Sequence, residues 1–473
     1  MIHLRLVGNN YKYEIENIIQ LFFPDKKISS TQGDFLKITV EKGENLLSVS
    51  VKQDEKVFEK EEKQATQESE RILCKMLFEI LSQMTGIRPA WGIQTGVRPT
   101  KLLRTLTKKF DQEYAKDYLQ NKLLISDEKL ALANRIVDLQ DNLLKYKKDN
   151  SFSLYISIPF CVSRCSYCSF VSHDIEKSKK LIPEYVNLLL KEIQLTAKIT
   201  KDLGLVLQSV YIGGGTPTTL DADSLSLIMS EITDNFDMSE SLEFTVEAGR
   251  PDTVTKDKLL AIKNHGATRV SINPQTLNDE VLKVIKRKHT VKEFYDAYNL
   301  ALSVGLDNIN TDLIAGLPSD TVDSFCKTIE DIAQLSPSCV TVHCLSVKRS
   351  STIVYNGTAV YNPTGQNVSD MLEFSHKTLD ASGYNPYYMY RQSKMSGNNE
   401  NIGWAKSGFE SFYNMFIMEE IQTIIALGAG ASTKLVLPDK IERIFNYKYP
   451  YEYISGFDEI VKRKQKIYDF YNI

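Results

Sequence analysis

Between about residues 150 and 347 the chain alternates strand-like and helix-like segments, and this limits its architecture more than any other feature. Six short apolar runs read as strands: Ser153–Pro159, Leu207–Gly213, Leu242–Glu247, Thr268–Asn273, Asn308–Ile314 and Cys339–Leu345. Amphipathic stretches of helical period separate them, at Lys180–Asp202, Ser224–Asn235, Lys256–Asn264, Val291–Val304 and Thr321–Leu335. Alternating β and α units require a parallel sheet with right-handed crossovers, either an open doubly wound sheet or a partial barrel. Three cysteines, the run Gly213–Thr218, Glu247, Gln275, Asp312 and His343 all fall at or just past the C-terminal ends of their strands. In a parallel barrel those ends share one rim, where chemistry is built.

The cysteines Cys161, Cys165 and Cys168 form C-x₃-C-x₂-C directly after the first strand. Three thiolates hold three irons of a [4Fe–4S] cube and leave the fourth open, whereas an electron-transfer cluster uses four soft ligands. An open iron at the end of a strand points to a ligand that binds it, and S-adenosylmethionine is the expected one. Zinc would need a fourth donor, which His173 could supply, but the spacing lacks the paired C-x₂-C knuckles of a zinc ribbon. Gly213-Gly-Gly-Thr-Pro217 has neither the GxGxxG nor the GK[ST] pattern. Its glycines let backbone groups approach a ligand closely, and beside an open iron they are candidates for holding an amino-acid moiety. Glu247, Gln275, Arg287 and Asp312 offer the charges and amide groups suited to a zwitterion carrying a ribose.

At 473 residues the chain divides into more than one domain, expected at 1–150, 151–347 and 348–473. In the first segment, Phe35–Val40 and Leu46–Val51 alternate as a hairpin around Gly43–Asn45, and a charged helix is expected from about Glu59 to Met84. Thr85–Ala90 and Thr95–Thr100 are near copies, read either as two turns before helices begun by proline or as paired arginines meeting an anion. The last segment holds a polar stretch at 349–365, a helix at about Val368–Ser382, and the aromatic run Gly383–Arg391, which is either packing or a platform for a flat ligand. Cys74, Cys326, Cys339 and Cys344 read as small buried hydrophobes. A net charge of −3 gives no reason to expect nucleic acid, and no apolar run approaches the roughly 18 residues of a membrane span. Seven cysteines, three of them clustered, fit a reducing compartment, so a cytoplasmic protein is expected.

Several motifs together resemble the radical SAM superfamily, specifically the oxygen-independent coproporphyrinogen III dehydrogenase (HemN-like) family and within it the HemZ type. They are Tyr155-x-x-x-Pro-Phe-Cys161, the cysteine trio, Gly213–Thr218, Val246-Glu-Ala248, Ser271–Gln275, Arg287–Thr290, Asp312–Pro318 and Leu427–Ala431. Thr95–Leu102 and Tyr387–Gln392 look like the HemZ type in particular. The resemblance implies an α/β fold: a partial (β/α)6 barrel with an N-terminal α+β domain and a C-terminal mixed extension that covers the substrate. It implies that Cys161, Cys165 and Cys168 ligate the cluster and that Tyr155, Gly214, Gly215, Thr216, Glu247, Gln275, Arg287 and Asp312 bind S-adenosylmethionine. Tyr155, Glu247 and Arg287 would be the catalytic group among them.

The implied chemistry is reductive cleavage of S-adenosylmethionine to a 5′-deoxyadenosyl radical, hydrogen abstraction from a substrate propionate, and decarboxylation to a vinyl group. The implied partners are a tetrapyrrole, coproporphyrinogen III, and a reducing electron donor of flavodoxin or ferredoxin type. Arg250 and Arg391 are candidates for the substrate carboxylates. Relatives in the same branch also imply a haem-binding chaperone, with His343, Cys344 or a tyrosine of 387–390 as axial ligand, or a haem methyltransferase or ring-opening enzyme. The main group carries His and Cys where this chain has Ser157 and Phe170. Neither position ligates the cluster; they bear on the substrate and on a second S-adenosylmethionine.

Overall fold

The computed structural model describes residues 1–63, 68–170, 173–346, 366–392 and 395–471. They form two compact units: one of residues 1–137, 366–370 and 389–401, the other of 138–346, 371–388 and 402–471. These units cut the chain differently from the three expected segments, because short excursions join the first unit while residues 402–471 belong with the barrel.

In the first unit a five-stranded sheet runs in the order Ile28–Ser29, Ile2–Val7, Leu36–Lys42, Leu46–Gln53, Lys56–Lys63. The expected hairpin is present, with Gly43 N–H donating to the Leu46 carbonyl at 2.9 Å. Leu36, Ile38, Val40, Leu47, Val49 and Val51 point inward at alternate positions, and helix Ser69–Thr85 has Leu73, Leu77, Phe78 and Leu81 buried. The expected helix from Glu59 is corrected: Lys56–Lys63 is a strand paired along its length with Leu46–Gln53. Lys and Glu favour helices by propensity, but here they charge a solvent-facing edge strand, and pairing overrides propensity. Of the two near copies, only Pro99 opens a helix, Pro99–Lys109; Pro89 opens a turn closed by Gly92 N–H on its carbonyl.

Six parallel strands organise the second unit: Ser151–Ile158, Val206–Gly214, Glu243–Glu247, Arg269–Ser271, Ile309–Ala315 and Cys339–Cys344. They lie side by side in chain order. A doubly wound sheet reverses order at a switch point; an unbroken order winds one way and curls toward a barrel. Strand Asn401–Ala405, antiparallel to the sixth strand, and then Asn385–Tyr390 continue the sheet past it. Past the first strand lies Thr423–Leu427, parallel to it, then Ser432–Leu437 and Lys440–Phe445. The crossover helices Ile182–Asp202, Ala222–Asn235, Lys256–Asn264, Val291–Ser303 and Val322–Leu335 lie where the periodicity puts them. Three start on side-chain caps, Asp221 on Ser224 N–H, Thr290 on Glu293 N–H and Thr321 on Ser324 N–H.

One buried network fastens the last part of the chain to the first barrel strand. The Glu192 carboxylate accepts from Gly428 N–H at 2.9 Å, Asn446 Nδ2 at 2.8 Å, Tyr453 Oη at 2.7 Å and Lys464 Nζ at 3.0 Å. Ser157 Oγ donates to the Ala429 carbonyl, and Tyr185 Oη bridges the Ser157 carbonyl and Ala429 N–H. The Leu427–Ala431 motif is thereby moored to the strand that leads into the cysteines.

Candidate functional site

Strands of a parallel sheet covered on both faces bury nearly every residue. Along the first, third, fifth and sixth barrel strands one residue alone is part-exposed: Tyr155, Glu247, Asp312 and His343 respectively. In the second strand Tyr211 is the mid-strand exception. These side chains meet one another. Tyr155, Tyr413 and Tyr211 stack with ring centroids 6.1 and 4.4 Å apart, and Tyr211 Oη donates to Glu247 Oε1 at 2.6 Å. Asp312 Oδ2 lies 3.7 Å from His343 Nε2 and accepts from Asn273 Nδ2 at 3.0 Å, while Asn310 Nδ2 donates to Oδ1 at 2.8 Å. The result is a polar, solvent-reached patch inside an otherwise apolar barrel.

The electrostatics of the two carboxyls diverge. Burial pushes Glu247 up to about 7, with the nearby Asp312 charge adding to the rise and the Tyr211 hydroxyl offsetting part of it. Burial also opposes the Asp312 charge, but His343, Asn310 and Thr341 more than offset it and hold that carboxyl below its ordinary value. Gln275 sits at φ 71°, a conformation that costs a non-glycine residue energy. Its N–H donates to the Asp312 carbonyl and its carbonyl accepts from Ile314 N–H, both at 3.0 Å, and these two bonds hold the strained residue against the fifth strand.

The cysteine loop and the glycine run are bonded face to face. Gly215 N–H donates to the Ile158 carbonyl and Thr216 N–H to the Phe160 carbonyl, both at 2.8 Å. Thr216 Oγ1 lies 3.5 Å from Cys161 Sγ. Gly214 has φ 108°, and a Cβ on Gly215 would come within 2.5 Å of the Phe160 carbonyl oxygen, so no larger residue fits this approach. On the other side, Arg250 Nη1 and Arg287 Nη1 each lie 3.7 Å from Cys165 Sγ. Burial pushes the Cys168 thiol up to about 11, and the charges of Cys165 and Cys161 add to the rise.

This donor set fits an iron–sulfur cluster. Three soft donors sense one another's charge, and a bound cation reverses the rise at Cys168. A single zinc ion would draw its donors to within about 2.3 Å of one point. A Cys₃His site would also need His173 within reach of the cysteines. His173 does not join the cysteines: its ring packs edge-on against Tyr449 and Tyr451 at 5.7 and 6.2 Å.

Of the residues singled out in sequence, the structure brings the cysteines together with Gly214, Gly215 and Thr216, and brings Tyr155, Glu247 and Asp312 together with one another. Arg287 is drawn onto Cys165 and Tyr167 and donates to the carbonyls of Gly249 and Asn273. Arg250 is clamped by Asp252 and faces the cysteine loop, and Arg391 is committed to the carbonyls of Gln94, Gly96 and Asn398 over the ring of Trp91. Both are corrected as candidates for substrate carboxylates, since buried backbone and acidic partners already occupy them. Arg391 N–H also donates to the Val97 carbonyl, so Thr95–Leu102 meets residues 389–392 inside the first unit. Tyr387, Tyr388 and Met389 are 1%, 3% and 0% exposed, which makes the aromatic run packing. Cys74, Cys339 and Cys344 are buried as expected, while Cys326 is part-exposed. The stretch 349–365 lies outside the described residues.

Sequence reasoning missed Tyr211, Tyr413, Asn273 and Asn310. Tyr211 was within reach, two residues before Gly213 on one strand face. Tyr413 arrives from helix Phe412–Glu419, and no local pattern marks it.

The sequence profile of the radical SAM superfamily matches residues 155–332. The oxygen-independent coproporphyrinogen-III oxidase-like protein HemZ of Bacillus subtilis is 38% identical over 418 residues, 86% of this chain and 83% of that one. The heme chaperone HemW of Haemophilus influenzae is 32% identical over 309 residues, 64% of this chain and 76% of that one. Among solved structures, coproporphyrinogen III oxidase (HemN) from Escherichia coli, a radical SAM enzyme, superposes with a TM-score of 0.54 at 23% identity, over 69% of this chain and 73% of that one, and so shares the fold. No helix among the described residues is long and apolar enough to cross a membrane.

Proposed function

The chain belongs to the radical SAM superfamily and to its oxygen-independent coproporphyrinogen-III oxidase-like family, whose cofactors are a [4Fe–4S] cluster and S-adenosylmethionine, and on that premise we propose that it oxidatively decarboxylates coproporphyrinogen III to protoporphyrinogen IX. The observation that supports this reading is the 38% identity to HemZ across 86% of the chain, which extends beyond the barrel into both compact units. Cys161, Cys165 and Cys168 would hold the cluster. Gly214, Gly215 and Thr216 would receive the methionine moiety and Tyr155, Glu247, Gln275 and Asp312 the ribose and ammonium groups, with Arg287 at the cluster side.

When bound, the two cofactors supply a carbon radical that removes one hydrogen atom from the substrate. Each of the two propionates converted then loses carbon dioxide and one further electron, which an acceptor takes, and becomes a vinyl group. The chain's own residues orient and shield. The stack of Tyr155, Tyr413 and Tyr211 gives the barrel floor an aromatic surface with one polar edge at Glu247. A reducing donor of flavodoxin or ferredoxin type would supply the electron that starts each turnover.

Glu247 gives this reading a pH signature. In the folded chain its carboxyl ionises near 7 rather than 4.5, so the folded state holds the proton longer and loses stability as pH rises through that window. A cationic ligand that pairs with the carboxylate opposes that loss. S-adenosylmethionine affinity is therefore expected to rise several-fold between pH 6 and pH 8, in steps governed by the ~1.4 kcal/mol that each pKa unit represents. Glu247→Gln should flatten the profile in an anaerobic binding titration, and a flat wild-type profile would remove Glu247 from the binding group.

The decisive experiment is anaerobic turnover of the reconstituted chain with coproporphyrinogen III, read by product mass. Loss of carbon dioxide and two hydrogens per propionate is the expected result. The HemW relatives support a second reading, a haem chaperone on the same scaffold. Stoichiometric haem binding with no tetrapyrrole product would select it over decarboxylation.

A further inference from the structure

We propose that Arg250, acting with Arg287 through the sulfur of Cys165, sets the reduction potential of the iron–sulfur cluster. Arg250 is 3% exposed and Arg287 6% exposed, so both charges lie out of water. Each directs Nη1 at Cys165 Sγ from 3.7 Å. The rest of each guanidinium is tied down. Arg250 Nε and Nη2 form a two-pronged clamp on Asp252 Oδ1 and Oδ2 at 2.9 and 2.8 Å, and Nη1 is shared with Ser163 Oγ at 3.1 Å and the Ser163 carbonyl at 3.4 Å. Arg287 Nη1 is shared with Tyr167 Oη at 3.2 Å, Nη2 is held by the carbonyls of Gly249 and Asn273, and Nε donates to His289 Nδ1 at 3.2 Å. The planar fork of an arginine, unlike a lysine ammonium, keeps this aim fixed.

One thiolate thus meets two cationic N–H donors in a setting of low dielectric. Hydrogen bonds to cluster sulfurs, local charge and solvent exposure are the protein's means of setting the potential. One-electron reduction adds a negative charge to the cluster, and buried cations stabilise that added charge. The two arginines are not equivalent. Asp252 compensates the charge of Arg250, while the direct partners of Arg287 are carbonyls, a tyrosine hydroxyl and a neutral imidazole. Arg250 therefore acts mainly through its N–H donor, and Asp252 limits how positive the setting becomes. Arg250 is a positioning residue: it acts through the sulfur of Cys165.

The inference rests on Cys161, Cys165 and Cys168 as the ligand set and not on the identity of the substrate. Its test uses the full chain, reconstituted anaerobically with iron and sulfide, without S-adenosylmethionine, its midpoint potential read by redox titration under electron paramagnetic resonance. Arg250→Met should bind wild-type amounts of iron and shift the reduction equilibrium about tenfold toward the oxidised cluster, about 59 mV for one electron. Arg250→Lys should fall between that variant and wild type. Asp252→Asn removes the counter-charge while leaving the donor, so it should shift the potential the other way. A fully loaded Arg250→Met at the wild-type potential overturns the proposal. Should that variant load no cluster, Asp252→Asn at the wild-type potential overturns it instead. A wild-type chain that takes up no iron overturns the ligand set, and the proposal with it.

Discussion

Replacement of Cys161, Cys165 and Cys168 together by alanine is expected to yield a folded protein that holds no iron. The fold should survive because all three lie beyond the first barrel strand and outside the barrel sheet, where only Cys165 is buried; Cys161 pairs with Asp174 in a two-residue ladder, through backbone that alanine keeps. Loss of one small buried thiol costs about 1 kcal/mol or less when alanine replaces it. Iron binding has no such reserve, since three thiolates are the minimum that fixes a four-iron cube with one open corner. The measurements are iron content and the broad visible absorbance of thiolate-to-iron charge transfer after anaerobic reconstitution, with circular dichroism as the fold control. Wild-type absorbance in the triple variant would sink the site assignment.

The second large effect falls on stability. Lys464→Met removes the cation from a carboxylate, Glu192, that is 0% exposed, and leaves its charge against three neutral donors. Breaking one partner of a buried pair costs about 3–5 kcal/mol because the remaining charge stays desolvated. Denaturant unfolding should show that loss in the midpoint, and the double variant Glu192→Gln with Lys464→Met should recover part of it. A loss below about 1 kcal/mol in the single variant would mean that water reaches Glu192. Because Gly428 N–H is among the donors, the single variant should also loosen the Leu427–Ala431 turn that Ser157 and Tyr185 hold.

The barrel was legible because its signal is periodic and repeated. Each strand is a short apolar run and each helix has a cap or an apolar stripe, so six units corroborate one another. Lys56–Lys63 was illegible for the converse reason: its charged residues carry no inward face, and only pairing with Leu46–Gln53 makes them a strand. In the site, residues whose role depends on their own backbone, such as Gly214 and Gly215, could be read from the motif. Side chains that reach across the fold could not. Arg250 and Arg287 read as ligands for something anionic, which is correct chemistry, but the thiol that receives them is more than 80 residues away in sequence. Tyr413 likewise owes its place in the stack to helix Phe412–Glu419 and not to its neighbours in the chain.

Strand Thr423–Leu427 lies directly beside the strand that leads into the cysteines, with Tyr155 opposite Ala426. A ribosome makes Tyr155 long before Ala426, at roughly 5–20 residues per second. For roughly 10–50 seconds of synthesis the first barrel strand has Val206–Gly214 on one side and an open edge on the other. The anchors of the cysteine loop on that side, Ala429 to Ser157 and Lys464 to Glu192, arrive later still. Iron delivered to the nascent chain would meet thiols on a half-supported loop. The strand that leads into the cysteines thus has its support on that side only once residues 423–464 are in place.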